Sequence, residues 1–326
     1  MLSAVILVRI HNKRGEDARY IDSYRVKGYP TFVFLSKNEE TLSRWWGYSR
    51  DEFLMEMKNA LKDPTTIAEK KERFANKPDT KTALALAKYH YTRNELKESE
   101  PYYRAAAKYD TENDYAYELY DLYRTGFINK LYSKDQLISA ADKALTSDYT
   151  DIRSKLSIYD QMGGGAILNP GNEDILGYIR KGQEFAAKIA DEKLQGYKDR
   201  IQVSYLLYIE KDTQKAIELK KRTYSSGWQD NADNLNSFAW WCFENHVNLQ
   251  EAEKMAERGI QLAEKGSQKA NIMDTLAEIV NLLGNTVRAS EIIDKAVTED
   301  PGSDYLQNQQ IRFHKLANPN AQTRAN

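Results

Sequence analysis

MDTLAEIVNLLGNTVRASEIIDKAVTEDP, residues 273–301, holds two amphipathic runs separated by a Gly-Asn pair. Apolar residues recur at three- and four-residue spacing on both sides of that pair, which predicts a helix, a tight turn and a second helix. Leu276, Ala277 and Val280 share one face of the first helix; Ala289, Ile293 and Ala296 share the facing side of the second. The small side chains of Ala277 and Ala289 let the two backbones approach closely. Pro301 stops the second helix because it has no N–H for the next ladder bond. One such pair cannot bury its own apolar face, so neighbours of the same build are expected.

Those neighbours lie upstream. Residues 236–264 carry Ala239, Trp240 and Phe243, then Ala252, Ala256 and Gly259, and residues 213–223 carry Ala216 at a matching position. Ala216 to Ala252 is 36 positions and Ala252 to Ala289 is 37. Small, small, aromatic or aliphatic, small and a closing Pro, at a period slightly above the usual ~34, resembles the tetratricopeptide repeat. The resemblance implies a helical solenoid that holds a protein or peptide partner on its concave face. Residues 82–113 form a diverged unit, with Leu86, Ala87 and His90 followed by Ser99, Tyr103 and Ala106. Residues 114–149 give another helix pair, with Ala141, Ala144 and Leu145 on one face, and residues 175–191 and 198–209 read as long helices. Residues 304–316 form a final polar helix of the kind that caps such arrays, and 317–326 a polar, disordered tail.

The first 63 residues read differently. Residues 4–10 are β-branched and apolar, the composition of a buried strand. A short helix is expected over 18–24, strands over 31–35 and 41–46, and a helix from Ser49 to about Leu61. Val26-Lys27-Gly28-Tyr29-Pro30-Thr31 leads into the first of those hairpin strands. This order, with Gly47-Tyr48 before the last helix, resembles the C-terminal part of a thioredoxin fold. The resemblance makes Pro30 the cis-proline before a strand, and Tyr29, Pro30 and Thr31 a loop that contacts an extended substrate peptide. In that family a Cys-x-x-Cys pair precedes the strand corresponding to 4–10, and this chain carries neither cysteine. Either the sequence is a fragment of a longer, exported thiol–disulfide oxidoreductase, or the domain is degenerate and redox-inactive. Lys62-Asp63-Pro64 closes the segment, and a charged helix over 65–76 links it to the repeats.

Composition excludes several classes. A net charge of −1 gives no electrostatic case for nucleic acid. The single cysteine, Cys242, leaves no self-contained dithiol. It falls among aromatic residues on a predicted helix and reads as a packing residue. The four histidines stand apart from one another without metal-ligand spacing, and no metal or cofactor is expected. No run reaches transmembrane length, and the apolar start lacks the basic region of a secretory signal. The glycines at 163–165 have no following Gly-Lys-Ser/Thr, so they read as a loop between helices. Trp228, Trp240 and Trp241 read as repeat packing ahead of a ligand groove, His90 as packing, and the acidic pairs, among them Glu98/Glu100, as solvated surface.

The expected fold class is therefore multidomain α+β: a partial thioredoxin-like α/β domain over 1–63, then a predominantly α-helical repeat solenoid over 64–316. The expected function is non-catalytic protein interaction, with thiol–disulfide exchange as the alternative.

Overall fold

The computed structural model describes residue 6 and residues 8–10, 18–164 and 173–318. Among these residues there are sixteen α-helices and one two-stranded sheet, so the protein is predominantly helical. The chain divides into two compact units, Met1–Lys155 and Leu156–Asn326. The composition break at 62–64 lies inside the first.

The first unit starts with α1 (Ala18–Ser23), β1 (Thr31–Leu35), β2 (Thr41–Trp46) and α2 (Arg50–Lys62). The strands pair antiparallel, with Phe32 opposite Trp45 and Phe34 opposite Ser43. Alternation along the hairpin sends side chains to two faces. On one, Phe32, Trp45 and Phe53 of α2 form an aromatic cluster with ring centroids 5.1–5.9 Å apart. On the other lie α3 (Ile67–Asn76) and α4 (Thr80–Thr92), which pack on β2. Here the buried Lys70 ammonium donates to the Leu42 carbonyl at 3.1 Å and also to the Thr65 carbonyl. Helix α3 begins in a capping box, Thr66 with Glu69, and Asp79 caps α4.

The strand expected over residues 4–10 needs correction. Residues 4, 5 and 7 lie outside the described residues, and Ile6 and Val8–Ile10 have no regular structure. Ile6 is 93% exposed. Apolar composition does not make a strand without a neighbour to take its N–H and C=O groups, and among the described residues β1 and β2 pair only with each other.

Helices α5 (Leu96–Tyr109), α6 (Ala116–Ile128) and α7 (Lys134–Thr146) complete the first unit, each packed on its predecessor. Ala83 and Ala87 of α4, Leu96, Tyr103 and Ala106 of α5 and Leu122 of α6 form one core. His90 is buried as well, stacked on Tyr102 at 5.7 Å. Helix α8 (Ile152–Gly163), which the sequence reading did not anticipate, spans the division between units. Met162 and Gly163 end this helix instead of opening a loop, and the remainder of the Gly-rich stretch, 165–172, lies outside the described residues.

The second unit continues with α9 (Glu173–Ala187), α10 (Gln195–Tyr208), α11 (Thr213–Arg222), α12 (Ala232–Glu244), α13 (Leu249–Leu262), α14 (Ser267–Leu282), α15 (Thr286–Glu299) and α16 (Asp304–Ala317). Helices α12 and α13 pack as one pair, α14 and α15 as the next, and α14 also rests on α12 and α13. Leu276, Ala277, Val280, Ala289, Ile293, Ala296 and Ala252 all lie in the common core, with Phe238, Cys242 and Phe313. Trp240 is half-buried, its ring 5.0 Å from that of Phe243. The Gly-Asn turn works as its composition dictates. Gly284 takes φ +92°, a left-handed conformation that costs glycine little, and the Asn285 side chain caps α15. Ala317, assigned by sequence to the tail, belongs to α16, which Asn318 caps; residues 319–326 lie outside the described residues. No described helix is long and apolar enough to cross a membrane.

Candidate functional site: a groove over α5, α6 and α7

A groove of about 560 Å³ opens in the first unit where the C-terminal half of α5, the start of α6 and one face of α7 meet. Its wall on α7 follows from helical spacing. Asp135, Ser139 and Lys143 are four residues apart and line the groove in succession. Asp135 and Lys143 are thus about 12 Å apart along the helix axis. Ala116 and Leu119 of α6 and Ala140 of α7 supply apolar surface, while Arg104 and Asp114 add one charge of each sign.

The α5–α6 wall is held by Glu100. Its Oε1 accepts from Tyr123 Oη at 2.6 Å and Arg104 Nε at 2.9 Å, and its Oε2 accepts from Tyr132 Oη at 3.0 Å. Arg104 Nη2 also donates to Tyr123 Oη at 2.8 Å. Burial pushes the Glu100 carboxyl up, but the Tyr123, Arg104 and Tyr132 donors outweigh it and hold the group below the usual carboxylate range. Tyr132 reaches Glu100 because Gly126 of α6 leaves room. A Cβ at residue 126 would stand 2.1 Å from Tyr132 Cδ2. Glu100, expected on the solvated surface, is instead the anchor of this wall. A charged residue in a charged stretch gives no local sign of partners 23 and 32 residues away.

Neither histidine nor cysteine lines the groove. It presents apolar side chains, hydroxyls, and charges of both signs.

The residues singled out by sequence fall elsewhere. Tyr29, Pro30 and Thr31 lie in the first unit just before and at the start of β1, joined by a cis Tyr29–Pro30 peptide bond. Tyr29 is 63% exposed, the Pro30 carbonyl accepts from Gly47 N at 3.0 Å, and Thr31 Oγ1 donates to the Gly28 carbonyl at 2.5 Å. The repeat residues, from Ala252 to Ala296, are core residues of the second unit and present no chemistry to a ligand. Trp228 is buried between Tyr224 and Phe238, a packing role. Cys242 is buried too, and burial pushes its thiol up to about 12, so it carries no thiolate near neutral pH. His90 donates to or accepts from Glu95 at 2.7 Å, and burial lowers its basicity against that carboxylate's pull. Among the described residues, no group of three or more His, Cys, Asp or Glu side chains is placed to hold a metal ion.

The chain matches no protein-family model, and no curated protein matches it.

Proposed function

We propose that this protein is a non-catalytic interaction scaffold: a tetratricopeptide-type helical array that holds an extended peptide segment of a protein partner, with a thioredoxin-like α/β segment as an adaptor. The groove over α5, α6 and α7 carries this reading. It is large enough for several side chains, apolar at its floor, and bordered by Asp135 and Lys143, which suits a peptide of mixed polarity. Support for the array comes from the second unit, where helices pair in sequence order and Ala216, Ala252 and Ala289 recur at spacings of 36 and 37.

The test is selection of peptides from a random displayed library against the whole chain, then measurement of their affinity by fluorescence anisotropy. Ser139→Trp fills the groove from an exposed position on α7. Selected peptides should bind this variant at least ~10-fold more weakly, the loss of about 1.4 kcal/mol. Peptides that bind both proteins equally would remove the groove from the account.

A second reading rests on the hairpin β1–β2 followed by α2, with Pro30 at its entrance. It resembles the thioredoxin fold's C-terminal part and implies thiol–disulfide exchange by cysteines outside this chain. Insulin reduction by the chain extended upstream, and not by the chain alone, supports it.

A further inference from the structure

The register of the hairpin fixes which backbone groups of β1 are already engaged. The Pro30 carbonyl accepts from Gly47 N, and in an antiparallel ladder bonded and non-bonded positions alternate. Phe32 and Phe34, opposite Trp45 and Ser43, therefore exchange bonds with β2, while Thr31, Val33 and Leu35 turn their N–H and C=O groups to the outer edge. The pairing passes from Phe34–Ser43 to Leu35–Thr41, so the extra residue, Leu42, belongs to β2 and β1 stays regular. Among the described residues nothing pairs with that outer edge, and helices α2, α3 and α4 pack on β2.

An open edge is ordinarily blunted by charge, proline or a bulge within the strand. Thr-Phe-Val-Phe-Leu has none of these, and each of its residues is only half-buried. Its outward-facing residues are symmetric about Val33. When two copies of β1 run antiparallel with a two-fold axis at Val33, Thr31 meets the partner's Leu35, Val33 the partner's Val33, and Leu35 the partner's Thr31. Each is a hydrogen-bonded pair, about six backbone bonds in all. Any other two-fold register leaves Thr31 or Leu35 outside the ladder. The flanking charges agree with the same axis. Lys27 stands six residues before Val33 and Glu39 six residues after it. Both are exposed, and neither is in an ion pair among the described residues. The two-fold carries Lys27 toward the partner's Glu39 and Glu39 toward the partner's Lys27.

We propose that β1 is a homodimerisation edge: two copies of this chain pair antiparallel at Val33 into one four-stranded sheet of order β2–β1–β1–β2. Four strands relieve the weakness of a lone two-stranded hairpin. The edge offers little area beside an obligate dimer interface, so the association is concentration-dependent.

The test is sedimentation velocity of the whole chain from about 1 to about 100 µM, a span that brackets a weak dimer. The mass should rise toward twice that of the single chain. Val33→Pro removes an outward N–H that takes no part in the β1–β2 pairing, and Val33→Lys sets like charges face to face on the axis. Both variants should stay monomeric, with Trp45 and Trp46 fluorescence reporting that the hairpin persists. If the proline disturbs the hairpin, the lysine variant decides. Val33→Cys should form a symmetric disulfide, since paired Cα atoms at such a position stand about 5.5 Å apart. The native Cys242 is buried and does not compete. A parent that stays monomeric at about 100 µM, its edge then covered by residues 4–10 of the same chain or by nothing, would overturn the proposal. So would a dimer that survives Val33→Lys, because its contact must lie on another surface.

Discussion

Arg44 of β2 and Thr92 at the end of α4 are locked together by two hydrogen bonds. Arg44 Nε donates to Thr92 Oγ1 at 3.0 Å, and Nη2 to the Thr92 carbonyl at 3.1 Å. The same guanidinium donates to the carbonyls of Tyr24 and Arg25, so one side chain ties β2, the end of α4 and the turn after α1. Arg44 is 3% exposed, and burial lowers its basicity to about 10, still high enough to keep the charge. Next to it Glu95 gathers Arg25 at 2.6 Å, Arg93 at 3.0 Å and His90 at 2.7 Å. The α/β segment and the first helices are accordingly one packed body within this unit.

Removing that guanidinium should be costly. Arg44→Met removes the buried guanidinium's bonds to the Thr92, Tyr24 and Arg25 carbonyls, and we expect the first unit to lose about 3 kcal/mol in urea unfolding. Arg44→Lys should recover little, because a single ammonium cannot reproduce the planar fork that reaches Thr92, Tyr24 and Arg25 together. A lysine variant as stable as the parent would show that charge alone matters at this position.

Gly126→Ala should unsettle the groove wall. The added methyl meets the Tyr132 ring, which must swing away and release Glu100. A loss of about 1–3 kcal/mol is expected from overpacking. In the double variant Gly126→Ala/Tyr132→Ala the clash is gone, so the two effects should fall short of additivity. Thermal melts of the four proteins measure this directly.

The C-terminal helix predicts a pH dependence. Asp274 of α14 is 6% exposed, accepts from Tyr305 Oη at 3.0 Å, and has Oδ1 without a partner. Burial pushes its carboxyl up to about 6, with neighbouring Glu278 adding to the rise against the Tyr305 bond. In the unfolded chain the same group titrates near ~4. The native state thus holds the proton more tightly: the stabilisation is complete below about 4 and is lost as pH rises through about 6. Asp274→Asn should flatten this dependence and stabilise the protein by about 2 kcal/mol at pH 7. Urea midpoints at pH 4, 5, 6 and 7 check it; parallel curves for parent and variant would contradict it.

Ile293→Ala should report on the pair α14–α15. The side chain is fully buried between helices, and its truncation is expected to cost about 2–5 kcal/mol. Val287→Ala, on an exposed residue of the same helix, should change stability by less than ~0.5 kcal/mol.

The α14–α15 pair was legible because periodicity, the Gly-Asn turn and Pro301 all point to one geometry, and the hairpin because its strands alternate around polar turn residues. Arg44 was not. In Thr-Leu-Ser-Arg-Trp-Trp an arginine reads as the outward residue of a half-buried strand, but α3 and α4 cover one face of β2 and α2 packs on the strand as well, so no face is left for it. At Ile6 and Val8–Ile10 the apolar composition misled for the opposite reason: propensity is local, whereas strand pairing needs a partner. The groove escaped sequence reading because its walls come from three helices, and Glu100 has no periodic signature.

The most direct test of the account is hydrogen exchange on the whole chain, with and without a saturating selected peptide. The interaction reading predicts added protection in α5, α6 and α7, between Leu96 and Thr146, centred on the start of α6 and the Asp135–Lys143 face. Protection confined to Tyr29–Thr31 and β1, with the groove unchanged, would contradict it and favour the thioredoxin-like segment as the peptide's seat.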